Sequence, residues 1–275
     1  MNRKKVVGKG GKFNIGFRQE QLTSHAGTVL LHDFAQRLGV EPLRDEELSV
    51  KTRERGYGEG QALGGLVYNL SGGGAHLSDL DVLRGDPGTQ ELRDAETILA
   101  PTTAGEFLRK VDIGAVQDLQ RGHLRVQQRV RPHQQAPTCT LDLASSIYEQ
   151  VSRHQEGSTK ADNGESGSHP LFAFWAEEGE LRFSHLRRSS AHTARNGRWF
   201  LRQPLQRVPD TAVKKLRADS GFYSRAVVEG CEAEGCTFTI TADQTAPLLA
   251  ALTALPERRW RNLPEYALAE VAELR

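Results

Sequence analysis

Two aspartates, Asp142 and Asp219, carry the chemistry most plainly written in this sequence of 275 residues. Asp142 lies in TLDLASSIYE (140–149), which opens as a strand. Leu141 and Leu143 alternate with Thr140, Asp142 and Ala144, so one face is apolar and the other aims a carboxylate outward. Asp219 ends a second strand-like run, in LRADSGFYS (216–224). Two carboxylates that meet in one cleft repel each other unless a cation neutralises them. Mg²⁺ or Mn²⁺, hard and oxygen-seeking, suits such a pair. Two such ions about 3.5–4 Å apart can activate a water or a 3′-hydroxyl and stabilise the leaving oxygen in phosphodiester chemistry. Each aspartate also has a structural reading. Asp219 precedes Ser220 and a helix, as an N-cap does, and Asp142 can be an edge or hydrogen-bonded carboxylate.

The elements that must position this pair follow from periodicity. The first third reads helical: TVLLHDFAQRLG stops at Gly39, EGQALGGLVYNLSGGG stops at Gly72 to Gly74, and HLSDLDVLRGDPG closes at Gly85 and Pro87. PTTAGEFLRKV carries Thr103 three residues before Glu106, a capping-box pattern. VQDLQRGHLRVQQRV is a last, polar helix. Past Pro132 to Pro137 the character changes. TCTLDLA is a strand, and the Gly- and Ser-rich stretch 150–169 is a loop. PLFAFWAEEGELRFSHLR is a hairpin turning at Glu177-Glu178-Gly179. Then come a helix in TARNGRWFLRQPLQRV, a strand in AVKKLRAD, a helix ending at Gly235, a strand in CTFTITA and a helix ending at Pro256. Three antiparallel strands followed by alternating helix and strand imply an α/β fold with a mixed sheet and flanking helices. A ribonuclease H-like core requires that order, and it sets the strands of Asp142 and Asp219 side by side. The expected domains are a helical region over 1–135 and the core over 136–275.

Charge points to a partner. The net charge is only +1, yet residues 182–217 hold ten Lys/Arg against one acid, Asp210. The expected DNA contacts are Arg182, Arg187, Arg188, Arg195, Arg198, Arg202, Lys214 and Lys215, and the first twenty residues add six Lys/Arg against Glu20. Such patches attract phosphate backbones and release counterions on binding. No apolar run approaches the ~20 residues of a membrane span, and the basic N-terminus has no apolar run behind it, so the expected location is the cytosol. Cys139, Cys231 and Cys236 make no disulfide framework, and Cys231 and Cys236 find no matching Cys/His pair for zinc. GKGGK lacks the spacing and Ser/Thr of a P-loop, GESGS misses the nucleophile elbow at its last residue, and the nine histidines form no HxxxH or HExxH pair. Trp175, Trp199 and Trp260 read as core or patch anchors rather than base-stacking platforms.

The order and spacing of several stretches carry a resemblance: LTSHAGTVLL, RGYGEGQALGGLVYNLSGGGAHLSDLDVLRGD, PTTAGEFLRKV, TLDLASSIYE, HPLFAFWAEEGEL, LRADSGFYSRAVVEGCEAEGCTFTITAD and ALPERRW. With these the sequence resembles DDE transposases of bacterial insertion sequences, in particular the IS1380 family within the broader IS4-like group. The resemblance implies a helical DNA-binding region, a ribonuclease H-like core, and Mg²⁺-dependent cleavage and strand transfer on double-stranded DNA at terminal inverted repeats. It leaves room for a homodimer on DNA and implies nucleoid association. Family members read Leu-Asp-x-Asp-x-Thr on the first core strand; here the run is Leu141-Asp142-Leu143-Ala144-Ser145-Ser146. The family's catalytic Asp aligns with the second of the two, which leaves a hole at Ala144. The next catalytic Asp maps onto Asp219. The family's final Glu lies beyond LPEYALAEVAELR, and Glu265, Glu270 and Glu273 fall in the wrong segment to replace it.

Three readings follow. One is a transposase with an incomplete site, another a non-catalytic DNA-binding protein or inhibitor derived from one. The third is a ribonuclease H-like nuclease with a different third ligand.

Overall fold

The computed structural model describes residues 5–8, 11–14, 23–50, 56–92, 98–133, 137–149, 159–160, 166–209, 211–264 and 269–273. The chain divides into two compact units, Met1–Gln134 and Gln135–Arg275.

In the first unit a hairpin of β1 (Lys5–Gly8) and β2 (Gly11–Asn14) precedes a run of helices. These are α1 (Gly27–Arg37), α2 (Val40–Glu47), α3 (Glu59–Ser71), α4 (Leu80–Arg84), α5 (Pro87–Leu92), α6 (Pro101–Leu108) and α7 (Ile113–Val130). Tyr68, Leu80, Leu83, Leu99 and Ala104 bury together as one core. α7 starts where Asp112 accepts a hydrogen bond from the Ala115 amide at 2.8 Å, a side-chain N-cap.

Three local expectations need correction here. Gly39 does stop α1, but the chain re-enters a helix at once, as α2. Pro87 opens α5 rather than closing α4, because proline suits the first helical turn, where its missing N–H is no loss. The Thr103–Glu106 capping box does not form. Ala100 is the cap and Pro101 the first helical residue, which leaves Thr103 inside the first turn.

The second unit is built on β3 (Thr138–Ser145). A small three-stranded sheet follows from β4 (Tyr148–Glu149), β5 (Thr159–Lys160) and β6 (Ser166–Ser168), so strands fall inside the stretch expected to be loop. Then come β7 (Leu171–Trp175), β8 (Glu180–His185), α8 (Gly197–Leu205), β9 (Val213–Ala218), α9 (Arg225–Ala233), β10 (Thr237–Ile240) and α10 (Ala246–Thr253). β11 (Arg261–Asn262) pairs with β12 (Glu270–Val271). The main sheet runs β10-β9-β3-β7-β8. β3 is parallel to β9, and β9 to β10; β3, β7 and β8 are successively antiparallel. The hairpin between β7 and β8 turns on Gly179, whose φ of 64° is left-handed and suits a residue without Cβ.

Alternation on β3 sorts the sheet into two faces. Leu141, Leu143, Leu216, Ala173 and Phe183 turn inward and pack with Phe200, Leu201 and Val227 in one core. Each of these leucine, valine and phenylalanine side chains stabilises the fold by about 1.5–3 kcal/mol relative to exposure. α8 and α9 lie close because of glycine. A Cβ on Gly197 would fall 2.6 Å from Val227 Cγ2, and one on Gly230 would fall 3.2 Å from Leu201 Cδ2. The opposite face carries Thr140, Asp142 and Ala144.

Candidate functional site at the carboxylate end of the sheet

The register of β3 against β9 decides which side chains meet. Leu141 pairs with Leu216, Asp142 with Arg217, and Leu143 with Ala218. The cross-strand neighbour of Asp142 is therefore a cation, not Asp219. Arg217 donates from Nε and Nη2 to the two carboxylate oxygens of Asp142, each at 2.7 Å. That fork is the strong bidentate geometry of guanidinium and carboxylate. The hydrogen bonds to Asp142 first, and its negative charge second, push Arg217 above its ordinary pKa.

The register ends at Leu143 opposite Ala218, and Ala144 and Asp219 are the next residue on either strand's path. The backbone of Asp219 stays extended, with φ −76° and ψ 177°. Its Oδ1 accepts from the Gly221 amide at 2.9 Å, so Asp219 caps the short turn Ser220–Phe222. The structural reading of Asp219 thus describes its contact here. Thr193 crowds the same spot: a Cβ on Gly221 would sit 3.2 Å from Thr193 Cβ.

Lower on this face, Thr140 donates from its amide and hydroxyl to Glu177 at 2.8 and 2.6 Å. Burial works to raise the Glu177 carboxyl, but the bonds from Thr140 outweigh it and hold that group below the ordinary glutamate value. On the β7 side, Phe174 stands opposite Asp142 and Phe172 opposite Ala144. Their rings lie 6.1 Å apart, and Tyr148 meets Phe172 edge-on at 6.5 Å.

The expected DNA contacts divide into two groups. Arg182 is a correction. It is only 2% exposed, with its guanidinium 4.3 Å over the Trp175 ring and 3.6 Å from Glu180, so it serves the core and not the surface. Arg187 is half-buried and holds the loop before α8, donating to the carbonyls of His169, His192 and Thr193. Burial pulls its pKa down. Arg188, Arg195, Arg198, Arg202 and Lys215 are exposed, and Lys214 is half-buried. Arg202 lies 3.6 Å from Glu234. The basic first twenty residues lie largely outside the described residues, as does Glu265; Glu273 lies 3.8 Å from Arg261.

Sequence reasoning missed Arg217 as the partner of Asp142, and Glu177 as the partner of Thr140. The signal for the first was present. Lys215 and Arg217 alternate on β9 as Thr140 and Asp142 do on β3, and only the register was needed to match the rows. Trp199, read as an anchor, is 46% exposed beside Arg198, whereas Trp175 is buried and donates to the Thr138 carbonyl at 3.1 Å.

A mixed α/β sheet with Asp142 on its central strand and Asp219 just past β9, followed and preceded in the chain by exposed arginines, is the setting in which the family is found. The family model described as transposase DDE domain, group 1, matches residues 5–274, and the chain belongs to that family. No curated protein matches the chain. Among the described residues no helix is long and apolar enough to cross a membrane.

Transposase DDE domains generally use a divalent metal ion. The residues present here do not fit one. Both oxygens of Asp142 are engaged by Arg217, and Asp219 Oδ1 accepts from the Gly221 amide as a turn cap. Among the described residues no group of three or more His, Cys, Asp or Glu could hold a metal ion.

Proposed function

We propose that this chain is an insertion-sequence transposase by descent that binds double-stranded DNA at terminal inverted repeats without cutting it. The strand order β10-β9-β3-β7-β8 supports a ribonuclease H-like core, and the exposed arginines around α8 supply the phosphate contacts. The helical first unit is the proposed second DNA-binding region. The Asp142–Arg217 fork carries the non-catalytic part of this reading. A guanidinium occupies the carboxylate that Mg²⁺ or Mn²⁺ would need, and Ala144 supplies no second one. DNA enters as a ligand held by charge, and the sheet centre, already neutralised internally, adds little repulsion to an approaching backbone.

The test pairs two assays on one substrate, a duplex bearing the inverted repeats of the element. Gel-shift titrations at rising salt should show affinity falling linearly in logarithmic coordinates, by about 0.9 per phosphate contact. Incubation with Mg²⁺ or Mn²⁺ should leave the duplex intact. Cleavage that disappears in Asp219→Ala would overturn the non-catalytic reading, and salt-insensitive or absent binding would overturn the DNA reading itself.

A further inference from the structure

We infer that Cys231 and Cys236 form a reversible disulfide site at the end of α9, closed by a hydroperoxide and reopened by thiols. The site goes beyond the DNA-binding reading and does not depend on it.

The pair is set by the way α9 stops. Gly235 takes a φ of 62°, a left-handed backbone open to a residue without Cβ. Its amide then donates to the Glu232 carbonyl at 3.1 Å, and the Cys236 amide donates to the Cys231 carbonyl at 2.8 Å. These are the two main-chain bonds of a Schellman ending, in which the side chains of the outer pair pack on each other. Here the outer pair is two cysteines. The Cys236 thiol donates to the Thr237 carbonyl at 3.4 Å, and the sulfurs of Cys231 and Cys236 are hydrogen-bonded to each other. A disulfide asks for Cα atoms about 4.4–6.8 Å apart with side chains that face one another. A direct main-chain bond between the same two residues draws the backbones together for it, and the sulfurs already meet.

The environment then separates three buried thiols. The hydrogen bond from Cys231, and after it the charge of Lys214, bring the Cys236 thiol below its ordinary value although burial opposes them. The hydrogen bond to Cys236, and burial second, raise Cys231. Cys139 lies in the same core, opposite Lys214 in the register of β3 and β9, yet burial pushes it up to about 12. Cys236 is therefore the attacking sulfur, Cys231 the resolving one, and Cys139 a bystander.

The step balances with hydrogen peroxide as the oxidant. The Cys236 thiolate attacks one peroxide oxygen, an S–O bond forms, the O–O bond breaks, and the departing oxygen takes a proton and leaves as water. Cys231 gives up its proton and attacks the Cys236 sulfur; the S–S bond forms, the S–O bond breaks, and a second water leaves. The two thiols lose two protons and two electrons, and the peroxide gains them. Cys231 is 0% and Cys236 4% exposed, so the oxidant enters when the last turn of α9 opens. Helix ends open at low cost, and β10, which follows, is an edge strand of the sheet. In a reducing compartment such a bond is transient, a sensor and not a structural staple.

The test treats the full chain with hydrogen peroxide, unfolds it, caps the remaining thiols with iodoacetamide and maps the tryptic peptides by mass. Cleavage after Arg225 and Arg258 leaves Cys231 and Cys236 together on one peptide, with Cys139 on another. The expected product is the first peptide, uncapped and about 2 Da lighter, and absent after treatment with dithiothreitol. It should form at least ~10-fold faster than Cys139 loses its thiol, the ratio that one pKa unit of thiolate fraction gives. Cys231→Ser should trap Cys236 as a sulfenic acid that dimedone labels, while Cys236→Ser should leave Cys231 a free thiol. Dimedone labelling of Cys231 in that second variant overturns the assignment of roles. Both thiols still capped after peroxide, Cys139 lost as fast as they are, or a disulfide that joins two chains overturns the site itself. These last outcomes are read on the parent chain, so they hold whether or not either variant folds, and none of them bears on DNA binding.

Discussion

Ala144 and Asp219 each follow the last register pair, Leu143 and Ala218, so the substitution Ala144→Asp tests how the sheet centre is built. Neighbouring strands lie about 4.8 Å apart, so the two carboxylates would be separated by roughly 5 Å. Coulomb's law then gives a repulsion of about 1 kcal/mol in a water-like dielectric and about 3 kcal/mol at an effective value near 20. Both positions are exposed, which selects the lower figure. A loss of about 1 kcal/mol lowers the melting temperature by roughly 2–5 °C for a unit of this size. A divalent ion should reverse the loss, because it binds the folded pair and not the unfolded chain. At ~1 mM Mn²⁺ and a Kd of about 0.1 mM, the gain is about 1.4 kcal/mol. The assay is thermal unfolding followed by circular dichroism, with and without Mn²⁺, on the parent, Ala144→Asp and the neutral control Ala144→Asn. The parent and the control should be indifferent to Mn²⁺, and only Ala144→Asp should melt lower without it and recover with it. If the parent gains as much from Mn²⁺ as the aspartate variant does, the Asp142–Arg217 fork does not exclude a metal and the reasoning fails. If the variant neither loses stability nor gains it back, residues 144 and 219 are not neighbours.

Other predictions rest on the same sheet and its cover. Leu216→Ala, at a buried position in the central parallel pair, should cost about 2–5 kcal/mol in urea unfolding, with the slope unchanged. Gly197→Ala should destabilise by about 1–3 kcal/mol, since its methyl would meet Val227 Cγ2 at 2.6 Å; a neutral result would show that α8 and α9 separate easily. Glu177 has its folded pKa held below the ordinary value of 4.5, so its contribution is fully present above that pH and is lost as pH falls through the lowered folded value. The parent should therefore exceed Glu177→Gln in urea midpoint at neutral pH, and the gap should close as pH falls below 4.5. A gap that stays constant across that range would remove the Thr140–Glu177 bonds as its cause.

Much of the second unit was legible because its strands alternate and its turns are punctuated by glycine. Leu141 and Leu143 against Asp142 and Ala144 marked the two faces of β3, and Glu177-Glu178-Gly179 marked the hairpin. The helix at 197–205 was readable despite Gly197 and Pro204, since Phe200, Leu201 and Leu205 supply its buried side. The first unit was less legible where helices abut. α1 and α2 are separated by a two-residue break, and α4 and α5 by another short one, so their apolar spacing ran together. In the candidate site both aspartates were visible as residues, but their partners were not. Whether Asp142 meets Asp219 or Arg217 depends on a shift of two positions between strands distant in sequence, and no local property of either strand encodes that shift. Arg182 shows the same limit: its charge suggested a surface, while packing over Trp175 turned it inward.

The fork between Asp142 and Arg217 joins residues 75 positions apart. The two strands at the middle of the sheet are thus separated in the chain by a hairpin, a basic loop and α8, all of which are synthesised between them. Closing so long a segment carries a large entropic cost before any contact rewards it, and it places the parallel pairing late among folding events. Until β9 and α9 arrive, the core that the inward leucines of β3 share with α8 is only partly covered, and what stays open is the sticky surface of a nascent chain. The hairpin of β7 and β8 can form locally and earlier, which gives β3 one neighbour while it waits. The Asp142–Arg217 fork then marks completion of the sheet, and its formation rate would report how fast this unit matures after leaving the ribosome.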